Sequence, residues 1–262
     1  VKTEIFTLGP ENSYSHLALK SFFGDGDFKT LESLVYVRRM LEQKSFCLVF
    51  APFENSIHGL VTDTFDLLVA CDDLRVLGEF KFNIRHCLAA NGVRDFELIK
   101  QVHSHHQALN QCNEFINANL AHVSRVNTSS TAQAAQNCAQ NNSGEVAAIC
   151  AKETALANGL QILYENIADH EHNQTRFLLI AKGETDFSAN ENPTKTLLKA
   201  KYNAKDSSLN RILKNISEQQ IKVINLHTRP NKAVIDEHFL LMECEANDNL
   251  KVESSLVELG NY

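Results

Sequence analysis

The sequence contains no run approaching the ~18 consecutive apolar residues that a membrane-spanning helix needs. It also has no C-x-x-C pair, no G-x-S-x-G, no G-x-G-x-x-G and no Walker loop. The first absence argues against a helical membrane protein, and no membrane partner is expected. The missing glycine motifs leave a nucleotide cofactor without support, and the missing serine elbow does the same for a hydrolytic nucleophile. Positive charge is in short supply: 25 Lys and Arg stand against 32 Asp and Glu, a net charge of −7. Nucleic acid is therefore not expected as a partner, because phosphate binding needs a surplus of cations. An anionic small molecule remains possible, since a cleft can be locally positive on an acidic protein.

The opening stretch VKTEIFTLGP lacks the charged, apolar, small-residue order of a signal peptide. Seven cysteines, an odd number with no two closer than twelve positions, read as reduced and mostly buried thiols of a cytoplasmic protein. The 11 histidines include two clusters, His103-His105-His106 and His170-Glu171-His172. Neither has the i, i+4 spacing that places two imidazoles on one helix face, so loop and surface histidines are expected and no metal.

What the chain does have is 262 residues, 44% apolar and 22% charged, the balance of a globular protein of about two domains. Such a length buries a core without staples. Thr3–Leu8 reads as a strand ending at the Gly9-Pro10 turn. A helix follows with Ser13 as N-cap, an inward face of Tyr14, Leu17, Ala18, Ser21 and Phe22, and Gly24 at its end. Strands are expected at 46–51 (stopping at Pro52), 75–78, 80–91, 99–104, 147–150 and 177–181. Helices are expected after Gly59, at 108–117 and at 131–140. This alternation predicts an α/β fold with a mostly parallel sheet. The polar segment 182–194 reads as a linker. Beyond it, strand 196–202, helix 207–219 and strands 221–228 and 237–245 open a ferredoxin-like module.

Three polar turns lead into helices: 9–16 around Ser13, 54–59 around Asn55 and Ser56, and 127–132 with Thr128, Ser129, Ser130 and Thr131. Small hydroxyl and amide side chains beside unpaired helix N–H groups can hold carboxylates. The same residue types also serve as plain helix caps, the preferred reading for any one loop alone. A fourth segment, His172-Asn173-Gln174-Thr175-Arg176-Phe177, sets a hydroxyl donor beside a permanent cation at a strand start.

These blocks together resemble prephenate dehydratase over nearly the whole chain: GPENSYSHLA (9–18), APFENSIHGLVTDTFDLL (51–68), IRHCL (84–88), VHSHHQALNQC (102–112), TSSTAQAA (128–135) and NQTRFLLIAK (173–182). LHTRP (226–230) in the terminal module is similar to part of a regulatory ACT domain. The resemblance implies an α/β protein whose two-lobed catalytic part, residues 1–182, is like a type II periplasmic binding protein. Lobe 1 would span about 1–79 and 158–182, and lobe 2 about 80–157. A βαββαβ ACT module would occupy 195–262. It implies decarboxylating dehydration of prephenate to phenylpyruvate, on the route to L-phenylalanine, with no cofactor.

Thr175 would be the catalytic donor. Arg176, Asn55, Ser56, Ser13, Thr128, Ser129, Ser130 and Thr131 would hold the two substrate carboxylates, with Phe177 packing the motif. L-phenylalanine would bind at Ser207, Ser208, Leu209, His227, Thr228, Arg229 and Pro230, where ACT modules join a homodimer or homotetramer. There are departures. The family glycine before the first serine is Asn12, and the family proline after Ser-His is His106. Gly-Ala-Leu is Ser207-Ser208-Leu209, and Glu-Ser-Arg-Pro is His227-Thr228-Arg229-Pro230, changes that bear on feedback inhibition. Either 255–262 is the last strand after a clipped helix, or part of the chain is missing. Two alternatives stay open: arogenate as substrate, or a non-catalytic amino-acid sensor on the same scaffold.

Overall fold

The computed structural model describes residues 4–71, 73–92, 96–183, 194–245 and 256–261. The chain starts with β1 (Ile5–Leu8), α1 (Tyr14–Phe23), β2 (Phe28–Leu31), α2 (Leu34–Gln43), β3 (Cys47–Asn55), β4 (Gly59–Leu60) and α3 (Thr62–Ala70). It continues with β5 (Leu74–Asn83), β6 (Cys87–Ala90), β7 (Gln101–Ser104), α4 (His106–Gln111), α5 (Asn113–Asn119), β8 (Ser124–Asn127), α6 (Thr131–Gln140) and β9 (Val146–Cys150). Then come α7 (Lys152–Ala157), β10 (Gln161–Tyr164), β11 (Gln174–Lys182), β12 (Lys195–Asn203), α8 (Ser208–Glu218), β13 (Val223–Pro230), β14 (Glu237–Glu245) and β15 (Leu256–Asn261). Two compact units result: Val1–Tyr36, Glu54–Gly59 and Lys81–Arg176 form one, and Val37–Phe53, Leu60–Phe80 and Phe177–Tyr262 form the other.

In the first unit β1 and β2 pair in parallel. A five-stranded sheet runs β10-β6-β9-β7-β8. Its pairings β7–β8 and β7–β9 are parallel, whereas β6–β9 and β10–β6 are antiparallel. The sheet is thus mixed rather than mostly parallel. Only β7, β8 and β9, joined in sequence by helical crossovers, obey the parallel rule. Their core is small and tight: Leu88, Ile99, Val102, Ile116, Ala134, Cys138 and Ile149 are buried in one cluster.

Helix α1 has the expected ends, but its buried residues are His16, Ala18 and Leu19, while Phe22 stands 40% exposed. The helix expected at 108–117 is two helices, broken at Cys112. The carboxylate of Asp169 accepts from the N–H groups of Asn113 (3.0 Å) and Glu114 (3.1 Å), so a new helix starts there with its first donors capped from a distant loop.

In the second unit β3, β11 and β5 lie side by side in that order. Strand β3 runs through Pro52 to Asn55 rather than stopping at the proline. Proline fits extended backbone, and its carbonyl is used here by Thr64 Oγ1 (2.6 Å). Strand β5 likewise runs through Gly78. The terminal module is an antiparallel sheet of order β13-β14-β12-β15 with Ile212 and Ile216 of α8 on its core. The buried Lys199 of β12 donates to the carbonyls of Leu68 (3.3 Å) and Cys71 (2.6 Å), the C-terminal end of α3 where a cation is favoured. Most of the expected linker, 184–193, and the stretch before β15 lie outside the described residues.

Candidate functional site

Thr175 is the second residue of β11 and is 8% exposed. Its Oγ1 accepts from Asn55 Nδ2 at 3.0 Å. No acceptor for the Thr175 hydroxyl proton lies among the described residues. Asn55 ends β3, where the chain turns into the loop before α3. Its Oδ1 accepts from the backbone N–H of Ile57 (3.0 Å) and His58 (3.1 Å). Its Nδ2 also donates to Asn173 Oδ1 (2.9 Å) and, more weakly, to Gln174 O (3.3 Å). The Asn55 amide is therefore committed inside the protein, where it orients the threonine.

The connections extend further. Asn173 Nδ2 donates to Gln111 Oε1 at 2.9 Å, and the same oxygen lies 2.8 Å from His86 Nε2. His86 Nδ1 lies 2.8 Å from the Tyr14 hydroxyl, which is 2.7 Å from Arg85 O. Asn173, Gln111 and His86 are all buried. Burial pushes the His86 imidazole below its ordinary value of 6.5, opposed by its bond to Gln111, and raises the Tyr14 phenol well above 10.0. Both are neutral near pH 7. The backbone holds this arrangement in place: Ile84 N–H donates to Asn173 O, Ile167 N–H to His86 O and Asp169 N–H to Gln111 O.

Arg176 Nη1 sits 2.5 Å from Glu54 Oε2, an ion pair whose side chains are 15% and 23% exposed. Ser56 Oγ donates to His172 O (3.0 Å) and accepts from Gln174 N–H (2.9 Å), which fastens the 54–59 loop to the start of β11. Phe177 is fully buried and stacks on Phe50, with ring centroids 4.9 Å apart and planes 6° apart. Its place is in the packing.

Ser13 caps α1: its Oγ accepts from His16 N–H (3.4 Å) and donates to Leu8 O (3.0 Å). Asn12, where the family has glycine, has φ 61°. That left-handed backbone explains why glycine suits the position, and asparagine is among the few other residues that tolerate it. In the third loop Thr128 Oγ1 donates to Ser130 O (2.9 Å), and Ser130 Oγ caps α6 by accepting from Gln133 N–H (3.0 Å). The hydroxyls of Ser129 and Thr131 have no partner among the described residues. Of the three loops, then, one presents spare donors at a helix N-terminus and two are committed to structure.

In the terminal module Ser207 precedes α8, and Ser208 bonds Asn203 through its hydroxyl and Asp206 through its N–H. Leu209 packs on the module core. His227, Thr228, Arg229 and Pro230 form the end of β13 and pair with β14. His227 meets Phe53 edge-on, with ring centroids 6.1 Å apart. Arg229 Nε lies 3.2 Å from Asp66 Oδ1 of α3, and its guanidinium lies over Phe65. His227 Nε2 and Arg229 Nη1 are buried without a hydrogen-bond partner among the described residues.

The sequence reading missed Glu54, Tyr14, His86, Gln111 and Asn173. All five lie within blocks shared with the family, which is the signal that was available. Their roles needed contacts between residues 25 to 122 positions apart, from His86 with Gln111 to Glu54 with Arg176.

The family model for prephenate dehydratase matches residues 5–185 of this chain. A prephenate dehydratase from Methanocaldococcus jannaschii is 34% identical over 265 residues, which cover 100% of this chain and 94% of that protein. The fold is similar to that of an Arthrobacter aurescens prephenate dehydratase solved in complex with L-Phe, with TM-score 0.82, 23% identity, and coverage of 94% of this chain and 82% of that one. It is equally similar to a quorum-quenching acylase, with TM-score 0.82, 22% identity, and coverage of 98% and 96%. At such identities the two solved structures speak for a shared mixed α/β fold alone.

Proposed function

This chain belongs to the prephenate dehydratase family, and from that premise we propose that Thr175 donates to the ring hydroxyl of prephenate as it departs with CO2, leaving phenylpyruvate. Aromatisation of the ring drives the reaction. The difficult step is expelling hydroxide from a neutral ring carbon, and a donor at that oxygen stabilises charge that develops only in the transition state. The observation that carries this reading is the state of the Thr175 hydroxyl: its oxygen accepts from Asn55, and its proton is spent on no acceptor among the described residues. An accepted hydrogen bond polarises a hydroxyl toward donation, more so where water is excluded.

The substrate is a dianion. Arg176 is the cation for one carboxylate, held in place by Glu54. Ser129 and Thr131, with the N–H groups at the start of α6, suit the other. Ser13, Ser56, Thr128 and Ser130 then support the site from behind. The lobes at 1–79 with 158–182 and at 80–157 belong to the same proposal.

The terminal module, 195–262, is read as an ACT domain. Its strand order and its βαββ opening support that, and L-phenylalanine is the proposed effector at 207–209 and 227–230. The Arg229–Asp66 pair gives that segment a direct hold on α3. Edge strand β13 exposes Val223, Ile224 and Leu226, which suits a second copy of the module and hence a homodimer or tetramer. No described helix is long and apolar enough to cross a membrane, and a cytoplasmic location is proposed.

The deciding experiment incubates the protein with prephenate or arogenate and follows phenylpyruvate and phenylalanine, with and without added phenylalanine. Turnover of prephenate that Thr175→Ala removes supports the reading. Ligand-dependent melting without turnover would replace it by the sensor.

A further inference from the structure

Each side-chain amide around Thr175 could be turned over, exchanging donor for acceptor, but one fixed point settles all of them. The N–H groups of Ile57 and His58 are backbone donors and have no alternative. They require an oxygen at Asn55 Oδ1. The Asn55 NH2 must then face Asn173 and Thr175, so Asn173 presents oxygen to Asn55 and nitrogen to Gln111. Gln111 answers with Oε1, which also meets His86 Nε2 at 2.8 Å. An oxygen there requires a proton on that nitrogen. His86 Nδ1 is then an acceptor facing the Tyr14 hydroxyl at 2.8 Å, which divides its single proton between that nitrogen and the carbonyl of Arg85 at 2.7 Å. Only this tautomer of the neutral ring agrees with the direction set at the far end.

We infer that His86, steadied by Tyr14, is a positioning residue for the dehydration: as the Nε2-protonated tautomer it holds Gln111, and through Gln111, Asn173 and Asn55 it keeps the Thr175 proton directed at the substrate. The inference rests on the proposed role of Thr175. His86 touches no reacting atom. Without its N–H, Gln111 Oε1 keeps one donor of two, and the amide can turn. Asn173 and Asn55 then lose their register, and the threonine hydroxyl can spend its proton on a neighbouring amide oxygen. A displacement of about 1 Å far from the chemistry can cost ~10²-fold in rate.

The first measurement uses the unaltered full chain. Nitrogen NMR of 15N-histidine protein near pH 7.5, with the His86 signals identified by their loss in His86→Gln, is expected to show a neutral ring protonated at Nε2. A proton on Nδ1, or an imidazolium, overturns the inference. Kinetics supply the second. His86→Phe is expected to lower kcat by ~10- to 100-fold with KM changed by less than about 3-fold. His86→Gln, which restores a donor at that end, should recover most of the loss. An unchanged kcat, or a change confined to KM, overturns the positioning role. If His86→Phe does not fold, Tyr14→Phe takes its place and is expected to lower kcat several-fold, while an unaltered kcat counts against the inference. Absence of prephenate turnover by the unaltered chain would refute the function itself, and the ring tautomer would still report the polarity independently.

Discussion

Buried polar groups are treated in opposite ways in two parts of this chain. Around Thr175 each side-chain nitrogen and oxygen of Asn55, Asn173 and His86 has at least one partner, while the threonine proton has none among the described residues. On β13 and β14 the reverse holds: His227 Nε2, Arg229 Nη1 and His238 Nδ1 are buried with no partner among the described residues. Each such orphan costs about 1–3 kcal/mol. On the proposed function, the difference separates a region organised in advance for its task from one that a ligand or a second copy would complete. A catalytic donor must be aimed before the substrate arrives, because correct aim is what lowers the barrier. If the terminal module is regulatory, as proposed, it gains from being incomplete, because an effector or second copy that satisfies it is then bound preferentially in that state.

The largest expected effect tests the organised side. Thr175→Ala should lower kcat by ~10²–10⁴-fold, the usual worth of general-acid assistance, in a steady-state phenylpyruvate assay. An unchanged midpoint of thermal unfolding would confirm that the loss is chemical. Asn55→Asp comes next. The carboxylate keeps the acceptor needed by Ile57 and His58 but faces Thr175 with an oxygen, so the threonine proton turns to it. A kcat reduced by ~10²-fold is expected. Asn55→Asp turning over at the native rate would break the contrast.

Acid stability sharpens it. His16, His86, His103 and His105 are held below 6.5, chiefly by burial, and all lie in the unit containing Thr175. Each takes up a proton more readily when unfolded. Stability is therefore full above 6.5 and falls as pH drops from there toward the folded values. Denaturant titrations from pH 7.5 to 5 should show this decline, and His16→Gln should flatten it.

The smallest effect belongs to the incomplete side. His238 stacks on Tyr202 and leaves Nδ1 unsatisfied, so His238→Phe keeps the ring contact and removes the orphan. Unfolding free energy in a denaturant titration should rise by about 1 kcal/mol, the low end of the cost of such an orphan, and a fall would count against the contrast.

Local rules carried the sequence reading where structure is local. The Ser13 cap, the end of α1 at Gly24 and the bounds of α6 follow from residues within one turn of each boundary. Reading failed where a distant group decides. Nothing near Cys112 announces that Asp169 will cap a new helix there. Hydropathy cannot show that Leu19 rather than Phe22 of α1 faces inward, because both are apolar and sheet geometry selects between them. In the site, Thr175 and Arg176 were legible through the family motif. Of the amides behind them, Asn55 was named as a carboxylate holder, while Gln111 and Asn173 were not, since the members come from separate stretches and each alone is an ordinary polar residue.

The main-chain amides of Ile57 and His58 thus act as a compass for the whole site. A side chain can be replaced, rotated or lost over evolutionary time, but a peptide N–H persists through any substitution except proline. Drift at the outlying members of this chain of amides can loosen the aim, yet the demand of these two N–H groups for an oxygen on Asn55 stays.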